Sequence, residues 1–207
     1  MLLSHYHQFI FIHNYKVAGT SVRTALAPYQ YSLRERLMRK VGIAGATKLS
    51  YQDHLKARDI QQLVPARQFE QYFKFGFVRN PWDWQVSLYR YTLKHKAHKQ
   101  HELVSGMKDF EEYLHWRVQH DAQLQKDFFY DESGDKLVNF VGRFESLTTD
   151  FEYICQQIGI NTQLPHQNKS RIDNDFLKYY TKETIALVAQ HYREDIETFE
   201  YALPSLF

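Results

Sequence analysis

Apolar positions along this chain fall into short runs and longer periodic stripes. Gln8-Phe-Ile-Phe-Ile-His13 is a run rich in Ile and Phe, too short for a helix of its own, and predicts a buried strand. Asn14 to Thr20 contains Gly19 and reads as a loop, and Ser21-Val-Arg-Thr-Ala-Leu26 begins a helical stretch that Pro28 ends. Strand, glycine loop and helix in this order open an α/β domain. Tyr31 to Ser50 holds Arg34, Arg36, Arg39, Lys40 and Lys48 with little apolar periodicity, and predicts a mobile excursion. Leu55, Ile60, Leu63 and Val64 predict a short helix within His54 to Val64.

Tyr72-Phe-Lys-Phe-Gly-Phe-Val78 is the strongest strand signal. Asn80-Pro81 follows at once, a favoured N-cap ahead of a favoured first helical residue, and the predicted helix carries Val86, Tyr89 and Leu93. Asp109 is placed to cap another, with Phe110, Tyr113, Leu114, Arg117 and Val118 on one side. Leu137 to Phe144 predicts a third strand. Leu147, Phe151, Ile154, Cys155 and Ile158 repeat at helical spacing, and Gly159 sits where a C-terminal glycine belongs. Ile185, Val188, Ala189, Tyr192, Ile196 and Phe199 make the cleanest amphipathic helix. Neither repeat nor linker interrupts the order. The prediction is one α/β domain over residues 1–207, a parallel sheet flanked by helices.

Composition narrows the class. Hydrophobic residues at 43% and charged residues at 24% exclude a disordered chain. The 26 basic and 24 acidic residues give a formal net charge of +2, so no global field commits the protein to nucleic acid or a membrane surface. A single cysteine, Cys155, excludes an intramolecular disulfide and any multi-cysteine zinc site. No apolar run reaches the roughly 18 residues of a spanning helix, and no basic region or cleavage site precedes the first strand. A soluble, cytoplasmic protein is expected, with no membrane span.

Candidate chemistry sits at two strand-to-helix junctions. In Lys16-Val-Ala-Gly-Thr-Ser21, backbone N–H groups at a helix start lack intrahelical partners and lie at the positive end of the dipole, where anions bind. Gly19 permits close approach, Thr20 and Ser21 add hydroxyl donors, and Lys16 adds a charge. The GxxxxGK[ST] pattern of nucleoside triphosphatases is absent. The same string is equally an ordinary capped helix beside a solvated lysine. In Phe77-Val-Arg-Asn-Pro-Trp-Asp-Trp-Gln-Val-Ser-Leu-Tyr89, Arg79 leaves a strand where open α/β sheets bind ligands, and its planar fork suits a phosphate. Ser87 lies about two turns further along the helix. Against that, Arg79 could pair with Asp83. Together the junctions suit a ligand with phosphates at two separate places.

The two strings resemble a family. Lys16-x-Ala18-Gly19-Thr20-Ser21 resembles the 5′-phosphosulfate loop of sulfotransferases, and Val78-Arg-Asn-Pro-Trp-Asp-x-x-Val-Ser-Leu-Tyr89 resembles their 3′-phosphate motif in the carbohydrate-type group that includes heparan sulfate 2-O-sulfotransferase. Phe140-Val-Gly-Arg-Phe-Glu145 and Tyr192-Arg-Glu-Asp-Ile-Glu-Thr-Phe-Glu-Tyr201 resemble the group too, whereas residues 29–50 and 95–135 do not. The resemblance implies a three-layer, P-loop-like α/β fold and an enzyme that uses 3′-phosphoadenosine 5′-phosphosulfate and releases adenosine 3′,5′-bisphosphate. It implies that Lys16, Ala18, Gly19, Thr20 and Ser21 hold the 5′-phosphosulfate, and Arg79 and Ser87 the 3′-phosphate. Lys169, Ser170 and Arg171, in a late basic segment, are further donor partners or an ordinary surface loop. The implied acceptor is a hydroxyl, on a saccharide by resemblance alone. Eukaryotic relatives add an anchor and stem that this sequence lacks, which favours a bacterial enzyme.

Sulfuryl transfer asks for alignment, a cation on the leaving phosphate and a base for the hydroxyl. Lys16 is the natural cation. His54 is the candidate base, since its ordinary pKa near 6.5 matches neutral pH and the resembling segment of 2-O-sulfotransferases carries a histidine there. Glu145 is the alternative base, or an acid at the start of the following helix. Lys94-His-Lys-Ala-His-Lys-Gln-His101 reads as a solvated helix end, or as a basic lip for an acidic glycan. No metal is expected. Cys155 reads as inert core, and the aromatic residues as packing, with Trp82 or Trp84 the candidates to stack on adenine or sugar. A nucleotide or nucleoside kinase and a non-catalytic nucleotide-binding protein are the competing readings.

Overall fold

A computed structural model of the protein describes residues 1–32, Leu37, 54–165 and 174–204. The expected excursion at Tyr31 to Ser50 falls almost wholly outside the described residues, as do Lys169, Ser170 and Arg171. In chain order the described elements are β1 (Leu2–Ser4), β2 (Phe9–Ile12), α1 (Gly19–Leu26), α2 (Ala57–Leu63), α3 (Ala66–Gln71), β3 (Phe73–Val78), α4 (Pro81–Lys94), α5 (His101–Ser105), α6 (Phe110–His120), β4 (Phe140–Arg143), α7 (Leu147–Gln157), α8 (Lys182–His191) and α9 (Arg193–Thr198). They fall into two compact units, residues 1–78 with 127–170, and residues 79–126 with 171–207.

The first unit holds a four-stranded sheet in the order β1-β2-β3-β4. Strands β2, β3 and β4 run parallel, with Phe11 opposite Phe75 and Phe77 opposite Gly142. The parallel sheet expected from the sequence is therefore present, with one addition: β1 pairs antiparallel with β2, Leu3 opposite Ile10. Three residues are too few to show alternation, and the chain reverses through Gln8 at φ 50.

Strand alternation sorts the side chains. Phe9, Phe11, Phe75 and Phe77 form a core with Val22, Ala25 and Leu26 of α1, with Phe151, Ile154 and Cys155 of α7, and with Ile158 at its C-cap. Full burial of each such aromatic or aliphatic side chain contributes about 1.5–3 kcal/mol. Lys74 and Gly76 alternate with those phenylalanines. A Cβ on Gly76 would lie 2.3 Å from the Phe129 ring and 2.8 Å from the Ile12 carbonyl, so only glycine admits that aromatic. Lys74 is buried, and its Nζ donates to the carbonyls of Phe69 (2.6 Å) and Tyr72 (3.0 Å) where α3 ends. Burial pulls its pKa below the ordinary lysine value.

The second unit is helical among the described residues, and its caps follow local chemistry. Asn80 Oδ1 accepts from the N–H groups of Trp82 (3.0 Å) and Asp83 (3.4 Å), with Pro81 at the first helical position. Asp109 accepts from Glu112 N–H (3.0 Å), and α6 buries the five residues the spacing selected. Trp82 and Trp84 are fully buried. Trp82 Nε1 donates to the Ile185 carbonyl at 3.2 Å, and Trp84 meets Tyr192 edge-on. Both are packing residues, so neither is presented for stacking on adenine. The predicted C-terminal helix is two helices: the chain turns at Tyr192 (φ −110, ψ 24), and the fully buried residue beyond it is Asp195, not Ile196.

Candidate active site

The loop after β2 is held in a conformation that L-residues rarely adopt. Of the five non-glycine residues with positive φ among those described, two lie here, Lys16 (φ 57) and Ala18 (φ 59), and a third, His54 (φ 63), packs against this loop's Tyr15. Each costs on the order of 1–2 kcal/mol, and such residues cluster at functional sites. Ala18 is the N-cap of α1, and its carbonyl accepts from Ser21 N–H (2.9 Å) and Val22 N–H (3.2 Å). Helix geometry leaves the N–H groups of Gly19 and Thr20 without an intrahelical acceptor. Left-handed residues such as Lys16 and Ala18 belong to the backbone conformations from which anion-binding concavities of N–H groups are built. Thr20 is exposed, Lys16 and Ala18 are half-buried, and Ser21 is buried.

Asn14, fully buried, fixes where this loop starts. Its Nδ2 donates to the Phe77 carbonyl (3.3 Å) near the end of β3, and its Oδ1 accepts from Tyr15 N–H (2.7 Å). The glycine of the loop has a packing reason besides the expected one. A Cβ on Gly19 would sit 2.0 Å from Cδ2 and Nε2 of His13, so the group that approaches it closely is an imidazole of the protein itself.

His54 stands at the same place. Its ring stacks on Tyr15 with centroids 3.8 Å apart, and lies 4.6 Å from the ring of His13. Nδ1 donates to the His13 carbonyl at 3.0 Å. A carbonyl only accepts, so this bond places the proton on Nδ1 and makes Nε2 the basic nitrogen. The sequence-predicted base and phosphate loop are thus brought together through His13 and Tyr15.

Arg79 is the first residue beyond β3 and belongs to the second unit. Both its Nε and Nη2 lie 2.7 Å from Asp83 Oδ2, the pairing that the sequence offered as the alternative to a phosphate. Two of the five guanidinium N–H groups meet that carboxylate, which fixes the plane of the fork. The backbone of Arg79 is clamped as well. Gln125 Oε1 accepts from its N–H (3.0 Å), and Gln125 Nε2 donates to its carbonyl (2.7 Å). Ser87 is half-buried on α4.

Residues 1–202, both junctions included, match the profile of the Sulfotransferase family. The chain belongs to the sulfotransferase family. It is also similar to human carbohydrate sulfotransferase 9, at 27% identity over 194 residues, covering 75% of this chain and 44% of that protein. The chain therefore spans under half the length of the curated relative it matches.

Within this sulfotransferase-family chain the other candidates are ordinary in their surroundings. Glu145 is half-buried in the turn Phe144–Ser146. At the start of α7 it is joined by Asp150, whose Oδ2 accepts from Arg143 N–H (2.6 Å) and from the Ser146 hydroxyl (2.7 Å). Cys155 is buried on α7, and burial pushes its thiol pKa up to about 11. The histidines of the basic run serve the chain's own backbone: His95 Nδ1 donates to the Tyr91 carbonyl and His101 Nδ1 to the Thr92 carbonyl, both at 2.9 Å. Burial, then the charge of Lys99, lowers the pKa of His98. Among the described residues no group of three or more His, Cys, Asp or Glu is placed to hold a metal ion, and no helix is long and apolar enough to cross a membrane. Sequence reasoning missed Asn14, placed only as the start of a loop, Gln125, given no role, and Asp195, which breaks an apolar stripe.

Proposed function

We propose that this chain transfers a sulfuryl group from 3′-phosphoadenosine 5′-phosphosulfate to a hydroxyl of a saccharide. The observation that carries the reading is His54, oriented by the His13 carbonyl beside the left-handed Lys16–Ser21 loop, in a chain whose family match runs through both junctions. The match over residues 1–202 supports treating the chain as one sulfotransferase domain. The name of the human relative supports the saccharide.

On this reading Lys16, Ala18, Gly19, Thr20 and Ser21 hold the 5′-phosphosulfate, Arg79 and Ser87 hold the 3′-phosphate, and Lys169, Ser170 and Arg171 add donor contacts. His54 Nε2 takes the proton of the acceptor hydroxyl as its oxygen bonds to sulfur and the bond from sulfur to the 5′-phosphate oxygen breaks in line. Lys16 faces the charge that collects on the departing phosphate. Oxyanion binding by a lysine and helix N–H groups supplies this stabilisation without a metal.

Calorimetric titration with adenosine 3′,5′-bisphosphate, adenosine 5′-monophosphate and ATP tests the donor. Loss of a charge-assisted phosphate contact costs roughly 1.5–3 kcal/mol, so Arg79→Ala should bind the bisphosphate more than tenfold worse. Preference for ATP, or no nucleotide binding, would sink the proposal. Labelled sulfate transfer tests the base: His54→Ala should lose turnover and keep its bisphosphate affinity, with Glu145→Gln as the control that keeps both. The reverse outcome would move the base to Glu145.

A further inference from the structure

Arg79 sits just past the last rung of its strand, since β3 pairs with β4 only as far as Val78 opposite Arg143. Its backbone N–H and carbonyl therefore need partners from elsewhere. Gln125 supplies both, so its carboxamide stands in for one more rung of ladder. Gln125 is fully buried, and is itself held in place. Its N–H donates to Asp195 Oδ2 at 2.9 Å, and the next N–H, of Lys126, donates to Asp195 Oδ1 at 2.8 Å. Asp195 is fully buried on α9, so its carboxylate is withheld from solvent and spent on two successive backbone groups. The order of dependence is Asp195, then the backbone at 125–126, then the Gln125 amide, then the backbone of Arg79. Asp83 fixes only the far end of the same side chain.

We propose that Asp195 is a positioning residue for Arg79. Acting through Gln125, it sets the direction in which the guanidinium leaves the backbone, and so the affinity of that guanidinium for the phosphate it holds. This rests on the reading that Arg79 binds the 3′-phosphate of the donor. A carboxylate is suited to the task because both its oxygens accept, and an asparagine presents one acceptor and one donor to the same two N–H groups. An unpartnered buried N–H weakens the clamp rather than removing it.

The test uses Asp195→Asn, near-isosteric, and Gln125→Met, which keeps the volume and removes the clamp. The first readout is the ratio of affinities for adenosine 3′,5′-bisphosphate and adenosine 5′-monophosphate, since general damage to the fold lowers both alike. Each variant should lose about tenfold in the bisphosphate alone, the scale of one compromised charge-assisted bond. In an Arg79→Ala background neither should lower it further. The second readout is hydrogen exchange at the Arg79 amide, which reports the clamp with no nucleotide present and should quicken in both variants. An unchanged ratio in folded Asp195→Asn, or equal loss for both ligands, overturns the proposal, as does unchanged protection of the Arg79 amide. If the wild type does not prefer the bisphosphate while Arg79 protection falls as expected, the fault lies in the donor reading, and with it goes the link from Asp195 to phosphate.

Discussion

Gly19→Ala isolates the packing that ties the Lys16–Ser21 loop to the candidate base. The added Cβ would lie 2.0 Å from Cδ2 and Nε2 of His13 and 3.1 Å from Cε1. Ordinary carbon contacts begin near 3.5 Å, so the ring would have to retreat by about 1.5 Å. It has little room: His13 is 9% exposed, stacked against Phe11 at 5.8 Å and close to His54 at 4.6 Å. Gly19 is not among the positive-φ glycines, so alanine adds no backbone strain. At the first turn of α1 it would gain up to about 1 kcal/mol of helix propensity. Overpacking costs typically about 1–3 kcal/mol, which outweighs that gain in most of its range. A net loss of up to about 2 kcal/mol would lower the melting temperature by roughly 4–8 °C in a chain of this size.

The decisive measurement is a double-mutant cycle by urea unfolding. In a His13→Ala background the clash partner is gone, and Gly19→Ala should be neutral or stabilising by up to about 1 kcal/mol. Equal effects of Gly19→Ala in both backgrounds would refute the packing argument and leave the glycine to be explained by close approach of a ligand. Turnover adds a second arm. Because the His13 carbonyl orients His54, Gly19→Ala should lower kcat for sulfate transfer more than it lowers affinity for adenosine 3′,5′-bisphosphate.

Burial raises the pKa of Tyr113, Tyr180 and Tyr192, the last to about 12 from the ordinary 10.0. Between these values the unfolded chain sheds phenolic protons that the folded chain keeps, so stability present below pH 10 is lost as pH rises, by about 1.4 kcal/mol per unit for each group. Alkaline unfolding followed by tyrosinate absorbance should be shallower in Tyr192→Phe, and an unchanged slope would contradict this. The thiol of Cys155, with its pKa pushed up to about 11, should react with a disulfide reagent at neutral pH only as fast as the protein unfolds. Stoichiometric reaction within minutes on native protein would show that the thiol is reachable.

What the sequence made legible is what short-range physics decides. Asn80 and Asp109 were readable as caps because a cap bond spans two or three residues, and β2 and β3 were readable because their short runs of aromatic and aliphatic residues leave a strand no other burial. Arg79 was readable as a strand-end cation for the same reason, and so was its partner Asp83, one helical turn away. The bonds that hold the candidate residues within each unit are of another kind. His54 finds its acceptor 41 residues back, the clamp on Arg79 comes from 46 residues ahead, and Asp195 reaches back 70 residues to Gln125. No periodicity encodes such pairs. The C-terminal stripe is the clearest case. Helical spacing selects Ile196, whereas the turn at Tyr192 re-phases the chain so that Asp195 is fully buried and Ile196 only partly. An acid inside an apolar stripe reads as an interruption until the two N–H groups that need it are in view, and those two belong to the segment that holds Arg79.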